Sequence, residues 1–241
     1  MSRIMQSLQM SNRLLAIEQR KGTSGEGRIR TFPAVLALLN LFFCAYTDEY
    51  LRGDVTGQYL SLFLIVESGM LVLIAIGTFM RSSLEILLKT SVFPITPWGI
   101  LLFVLLSFVR KPASVALWLT TLLFLVVLYF RSILVTSAAI TLYGLLVLNV
   151  LLLTTVVCVK LARSSQPVAG IAVLSIFAIV VIPASSMVFH FHSLAGSIPL
   201  ISWAASGISA AQHSNVLDAL FNCCYLLLSM VVLLCIGRRI A

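Results

Sequence analysis

The run DVTGQYLSLFLIVESGMLVLIAIGTFMR, Asp54 to Arg81, holds 26 residues between its terminal charges, and Glu67 is the single formal charge among them. A helix rises about 1.5 Å per residue, so about 20 apolar residues, with a range of about 17 to 25, cross about 30 Å of hydrocarbon. This run is long enough to span a bilayer, and its charges mark where the span ends. The same ruler finds 17 residues between Arg30 and Asp48, 19 between Lys111 and Arg131 and 28 between Arg131 and Lys160. It then finds 54 between Arg163 and Asp218, room for more than one element, and 19 between Asp218 and Arg238. Hydrophobic residues make up 60% of the 241 positions and Asp, Glu, Lys and Arg only 10%, against roughly 25% charged in a soluble domain.

The expected fold is an all-α polytopic membrane protein with six transmembrane helices, at about 32–47, 58–80, 113–130, 133–159, 168–189 and 216–237. Thr90 to Val109 is the alternative seventh crossing. Pro94 and Pro97 interrupt it, since each removes a backbone donor and restricts the residue before it. The apolar dozen that remains, Trp98 to Val109, suits an interfacial or re-entrant element. The positive-inside rule arbitrates. With six spans and an inner N-terminus, 14 of the 16 Lys and Arg are cytoplasmic, Arg52 and Arg131 being the two outside; a seventh span reduces the split to 9 against 7. Six spans with both termini cytoplasmic is the expected topology.

The formal charge of +8 is scattered at span ends instead of clustered on one face, which speaks against nucleic acid as a partner and for membrane lipid. The first apolar run begins near Phe32, after a long polar lead, so no signal peptide is expected. Cys44, Cys158, Cys223, Cys224 and Cys235 fall in apolar spans without the paired spacing of a zinc site, and are expected to act as small hydrophobes. His190, His192 and His213 lack a converging set of ligands, so no metal is expected. No cofactor is implied either.

Residues 1–31 form a lead-in. Ile4, Met5, Leu8, Leu14, Leu15 and Ile17 recur near a helical period among Arg3, Arg13, Arg20 and Lys21, the pattern of an amphipathic interfacial helix, and Gly22 to Gly27 follows as a joint. That joint lacks the Gly-Lys-Ser/Thr ending of a phosphate-binding loop. Residues 32–241 are read as one transmembrane domain. On its cytoplasmic side Arg81, Glu85 and Lys89 repeat every four residues and share one helical face, either a solvated edge or a docking face. On the outer side, Leu194 to Ala211 reads as a shallow hairpin with Trp203 at the interface. Asn215 and Asp218 have the N-cap and N3 spacing that starts the last helix.

Glu67 is the candidate with most chemical content. An ionised acid near mid-bilayer costs roughly 2.5 to 3.5 kcal/mol on insertion scales, so it must face a partner, water or protein, with Asn40 and Asn149 as the polar groups within reach of other spans. Ser209, in Gly-Ile-Ser-Ala, has no glycine after it and no base placed by the sequence. No paired acids, metal cluster or nucleophile-base set appears at a membrane face, so the chain is not read as an enzyme.

Three features, in order, resemble the ABC type-2 exporter permease family. They are the amphipathic lead-in; Ser82 to Pro97, similar to the family's coupling helix and following turn; and Ile198-Pro-Leu-Ile-Ser-Trp203 with a closing helix ending Gly237-Arg-Arg-Ile240, similar to its external re-entrant hairpin and basic tail. Phe93 stands where a small residue often precedes Pro, and the elbow to Lys111 is longer than usual. The resemblance implies an inner-membrane permease subunit, dimeric with itself or a second permease, driven by an ABC ATPase on a separate chain. Arg81, Glu85 and Lys89 then become the docking face. The rival from another class is a non-transporting membrane scaffold or assembly subunit.

Overall fold

The computed structural model describes residues 31–52, 58–90, 97–130, 132–163 and 198–240; the lead-in helix, the joint, the expected span 168–189, and His190 and His192 lie outside them. The described residues form helices joined by short turns, with no strand among them. In order these are α1 Thr31–Arg52, α2 Gln58–Thr90, α3 Pro97–Arg110, α4 Pro112–Leu128, α5 Ile133–Arg163, α6 Pro199–Gln212 and α7 Val216–Ile240. Four of them are long and apolar enough to cross a membrane, and five crossings result if α3 and α4, bent by 64° at Lys111, make one broken span. Among the described residues the protein is thus all-helical, with several helices that could cross a membrane.

The expected and observed boundaries differ where no breaker intervenes. α1 runs on through Asp48 to Arg52, and the two pair at i,i+4 with Nε to Oδ2 at 2.8 Å. Tyr46, Tyr50 and Tyr59 line up beside this end with ring centroids 6.0 and 5.7 Å apart, an aromatic ladder of the kind found at headgroup level. α2 continues past Arg81 to Thr90 as a single helix of 33 residues. No proline stands between Gln58 and Pro94, and Gly69 and Gly77 do not stop a helix with so many apolar neighbours. The stops that do occur have identifiable causes. Pro112 and Pro199 each occupy the first helical turn, where the missing donor is harmless. Ser132 caps α5, its Oγ accepting from the Val135 amide at 3.4 Å.

α5 is the central helix. Of its apolar window Ile133–Lys160, 72% is buried, against 11% for Val216–Arg239 of α7. α2 packs on α5 to complete the middle of the bundle, with the α1–α4 pair on one flank and the α6–α7 pair on the other. The core between them draws Phe63, Leu64 and Leu71 from α2, Phe108 from α3, Leu117 and Leu125 from α4, and Leu142, Tyr143 and Leu146 from α5. The outer faces are also apolar: Leu38 and Phe42 of α1 and Leu217, Leu220, Leu228 and Val231 of α7 are exposed, as lipid-facing side chains must be. Cys44 and Cys158 are buried, but Cys224 and Cys235 sit on that exposed face of α7. The expectation of small buried hydrophobes therefore holds for Cys44 and Cys158, which face into the bundle, and not for Cys224 and Cys235 on the outer face of α7.

Candidate functional site: a polar cluster at mid-span and a half-length helical hairpin

Glu67 lies at the midpoint of Tyr59–Ile76 and is fully buried. It faces protein instead of lipid. The neighbour that the bundle brings to it is Asn40 of α1, together with Thr121 of α4. Asn40 is held tightly: its Nδ2 donates to Thr120 Oγ1 at 2.7 Å, Thr121 Oγ1 at 2.9 Å and the Leu117 carbonyl at 3.2 Å. One Asn thus ties α1 to α4 where no water competes, an interhelical contribution of about 0.6 to 2 kcal/mol. Cys44, one turn further along α1, places Sγ 3.9 Å from Asn40 Oδ1. Tyr143 of α5 is a neighbour of Thr121, Glu67 and Cys44.

The cluster is incompletely satisfied. Both carboxyl oxygens of Glu67 and the Tyr143 hydroxyl are buried without a hydrogen-bond partner among the described residues. Buried polar atoms in proteins are paired in the great majority of cases, so three orphans at one place call for an explanation. Directly beside the cluster, Phe43 stacks on Phe63 at 5.5 Å and Phe63 tilts against Phe124 at 5.7 Å. These rings come from α1, α2 and α4, one turn from Asn40, Glu67 and Thr121, on the side where α1 leads into α2.

Asn149, the other polar residue read as a potential partner for Glu67, belongs to a separate clasp. Its Nδ2 donates to the carbonyls of Leu145 at 2.8 Å and Leu226 at 3.1 Å, and its Oδ1 accepts from Ser229 Oγ at 2.7 Å. It therefore fastens α7 to α5. The sequence singled out Glu67, Asn40 and Asn149 but not Cys44, Thr120, Thr121, Tyr143 or Ser229. Uncharged hydroxyls inside apolar runs give no signal beyond their presence, and many simply bond their own helix, as Thr154 and Thr155 do to the carbonyls four residues back. Arg81, Glu85 and Lys89 occupy one face of the last turns of α2; their side chains lie outside the described residues.

The second feature is α6. Fourteen residues rise about 21 Å, too little for about 30 Å of hydrocarbon. Yet α6 is not peripheral: Ile201, Ala204, Ala205, Gly207, Ile208 and Ala211 are buried, and it packs on α2, α5 and α7. The close approach depends on Gly207, where a Cβ would meet Leu142 Cδ1 at 2.7 Å and Asn222 Cβ at 3.0 Å. α6 then turns sharply into α7. Ser214 adopts φ 59°, its amide bonds the Ala211 carbonyl at 3.0 Å, and the Asn215 amide bonds the Ala210 carbonyl at 2.8 Å. This is a Schellman closure with serine in place of the usual glycine. Asn215 immediately caps α7: its Oδ1 accepts from the Asp218 amide at 3.4 Å, and its Nδ2 donates to the Asp218 carboxylate. Trp203, expected at the interface, is half-buried and stacks on Tyr225 with centroids 5.4 Å apart.

Comparisons with protein-family models, with curated proteins and with solved structures return no match.

Proposed function

We propose that the chain is the membrane permease subunit of an ATP-binding-cassette exporter, working as a dimer and driven by an ATPase on a separate polypeptide. The observation that carries the reading is the buried half-length helix α6, which packs on α2 and α5 and doubles back into the last helix. Helices that stop at part depth are tolerated in membranes where they are buried in protein or line a cavity, and they recur around the substrate sites of transporters. A scaffold needs spans alone. The broken pair α3–α4 adds a second interruption of the same kind, and the order of elements fits the family resemblance seen in the sequence. In this reading the exposed apolar faces of α1 and α7 meet lipid and a second permease chain. Both termini lie in the cytoplasm of a cell with an inner (plasma) membrane.

The docking face is the ladder Arg81, Glu85, Lys89. Glu85→Lys sets three positive charges at i,i+4 spacing. On a solvated edge the change has little effect on folding, because exposed pairs contribute only about 0 to 1 kcal/mol. On a docking face it repels the partner. The variant is expected to insert and accumulate as the parent does, yet to lose co-purification with the co-expressed ATPase and to lose export. Unchanged co-purification and export would show that the ladder docks nothing.

A further inference from the structure

We propose that the cluster around Glu67 is an occluded site for one monovalent cation, a proton or a sodium-sized ion. The inference is independent of the transporter assignment, since it rests on the cluster alone. Four helices each contribute one polar residue away from their ends: Asn40 in Pro33–Arg52, Glu67 in Tyr59–Ile76, Thr121 in Pro112–Leu128 and Tyr143 in Ile133–Lys160. All four are at most 2% exposed. Convergence of this kind, away from any headgroup or water, is costly unless something completes it.

Charge sets the valence. Glu67 supplies one negative charge, and among the described residues no Lys or Arg pairs with it. The other donors are neutral oxygens, so a single positive charge balances the site and a divalent ion leaves it over-charged. Ligand type sets the class. Carboxylate, amide and hydroxyl oxygens are hard ligands, suited to a proton or an alkali ion and not to a soft transition metal. The hydrogen-bond inventory points the same way. Asn40 gives its amide protons to Thr120, Thr121 and Leu117, which turns its Oδ1 inward with only a weak thiol contact. Both Glu67 oxygens and the Tyr143 oxygen are unpaired. Thr121 and Asn40 are the nearest polar side chains to that carboxyl, so the four residues bring several oxygens to one place around an acid that no basic side chain neutralises.

The other ionisable groups facing Glu67 are the Cys44 thiol from α1 and the Tyr143 phenol from α5. α4 contributes Thr121, α6 has no ionisable residue, and α3 has only Arg110, its last residue. Glu67 is therefore the group on which charge balance turns.

The test uses the full chain purified in detergent and follows thermal unfolding by tryptophan fluorescence, with sodium exchanged for choline at constant ionic strength. A sodium occupant raises the midpoint in proportion to the logarithm of its concentration, by about 5 to 11 °C at a hundredfold excess over its dissociation constant. Glu67→Gln abolishes that rise and Tyr143→Phe reduces it. A proton occupant gives no sodium dependence. It gives instead a carboxylic-acid carbonyl band in the infrared that titrates between about pH 5 and pH 9 and is missing from Glu67→Gln. Either pattern supports the site and names its occupant. Identical melting of the wild-type chain in sodium and choline, together with a carbonyl band that is absent or invariant across that range, overturns the proposal. Because that result needs only the wild-type chain, it stands even if a variant fails to fold.

Discussion

At the scale of a residue, the turn between α6 and α7 shows how much depends on single side chains. Ser214 holds φ 59° so that the Asn215 and Ser214 amides can close on α6, and a left-handed backbone costs an L-residue roughly 1 kcal/mol or more. Glycine removes that strain but loses more freedom on folding, so Ser214→Gly is expected to be neutral or stabilising by up to about 1 kcal/mol. Ser214→Val puts a β-branched side chain where it fits worst and is expected to lower the melting midpoint by several degrees. Comparing both variants in thermal unfolding checks the conformation directly: equal midpoints would mean that residue 214 is not left-handed. The capping pair that follows was legible in the sequence, because Asn215 and Asp218 stand at a spacing with one geometric meaning. The serine was not, because nothing in its type announces a positive φ.

At the scale of elements, spans were legible and their rotations were not. Charge spacing placed α1, α2, α5 and α7, and the elbow read as ending at Lys111 coincides with the 64° bend. What charge spacing cannot do is say which face of a span turns inward, since in a membrane both the core and the lipid are apolar and no amphipathic stripe distinguishes them. That is why Glu67 could be picked out while Thr121 and Tyr143, which meet it, could not. Close approaches are equally silent in sequence. Gly207 lets α6 lie against Leu142 and Asn222, and Gly237 lets α7 approach Leu101 and Val156, where a Cβ would run into Leu101 Cδ1. For Gly207→Ala, the Leu142 tip can rotate away, but Asn222 Cβ is fixed to the α7 backbone. Overpacking of this kind costs about 1 to 3 kcal/mol. Leu142→Ala is itself destabilising, yet the double variant should be more stable than the sum of the two predicts, by at least about 0.5 kcal/mol in a double-mutant cycle. Strict additivity would place α6 elsewhere than against α5.

At the scale of the whole molecule, the decisive quantity is the parity of crossings. Arg81 and Lys89 end α2 on the side where Arg110 and Lys111 begin the next span, and Lys160 and Arg163 end α5 on that side again if α4 crosses once and α3 stays on the cytoplasmic side of the bend. α7 then closes with Arg238 and Arg239. For these to join the other cytoplasmic charges, residues 164–197 must cross once and α6 must not, which gives six crossings and leaves only Arg52 and Arg131 outside. If α6 crosses in addition, the C-terminal arginines move outside and the split falls to 12 against 4. The short length of α6 argues against that. Single cysteines on a Cys-free background decide the matter. Arg52→Cys and Ala195→Cys are expected to react with a membrane-impermeant maleimide added to intact cells. Glu85→Cys and Arg239→Cys are expected to react only after the membrane is permeabilised. Position 239 carries the most information, because it reports the sum of every crossing before it: labelled from outside, it would require an odd number of spans, which six crossings with a half-length α6 cannot supply, so either α6 or the segment before it would have to enter the membrane differently.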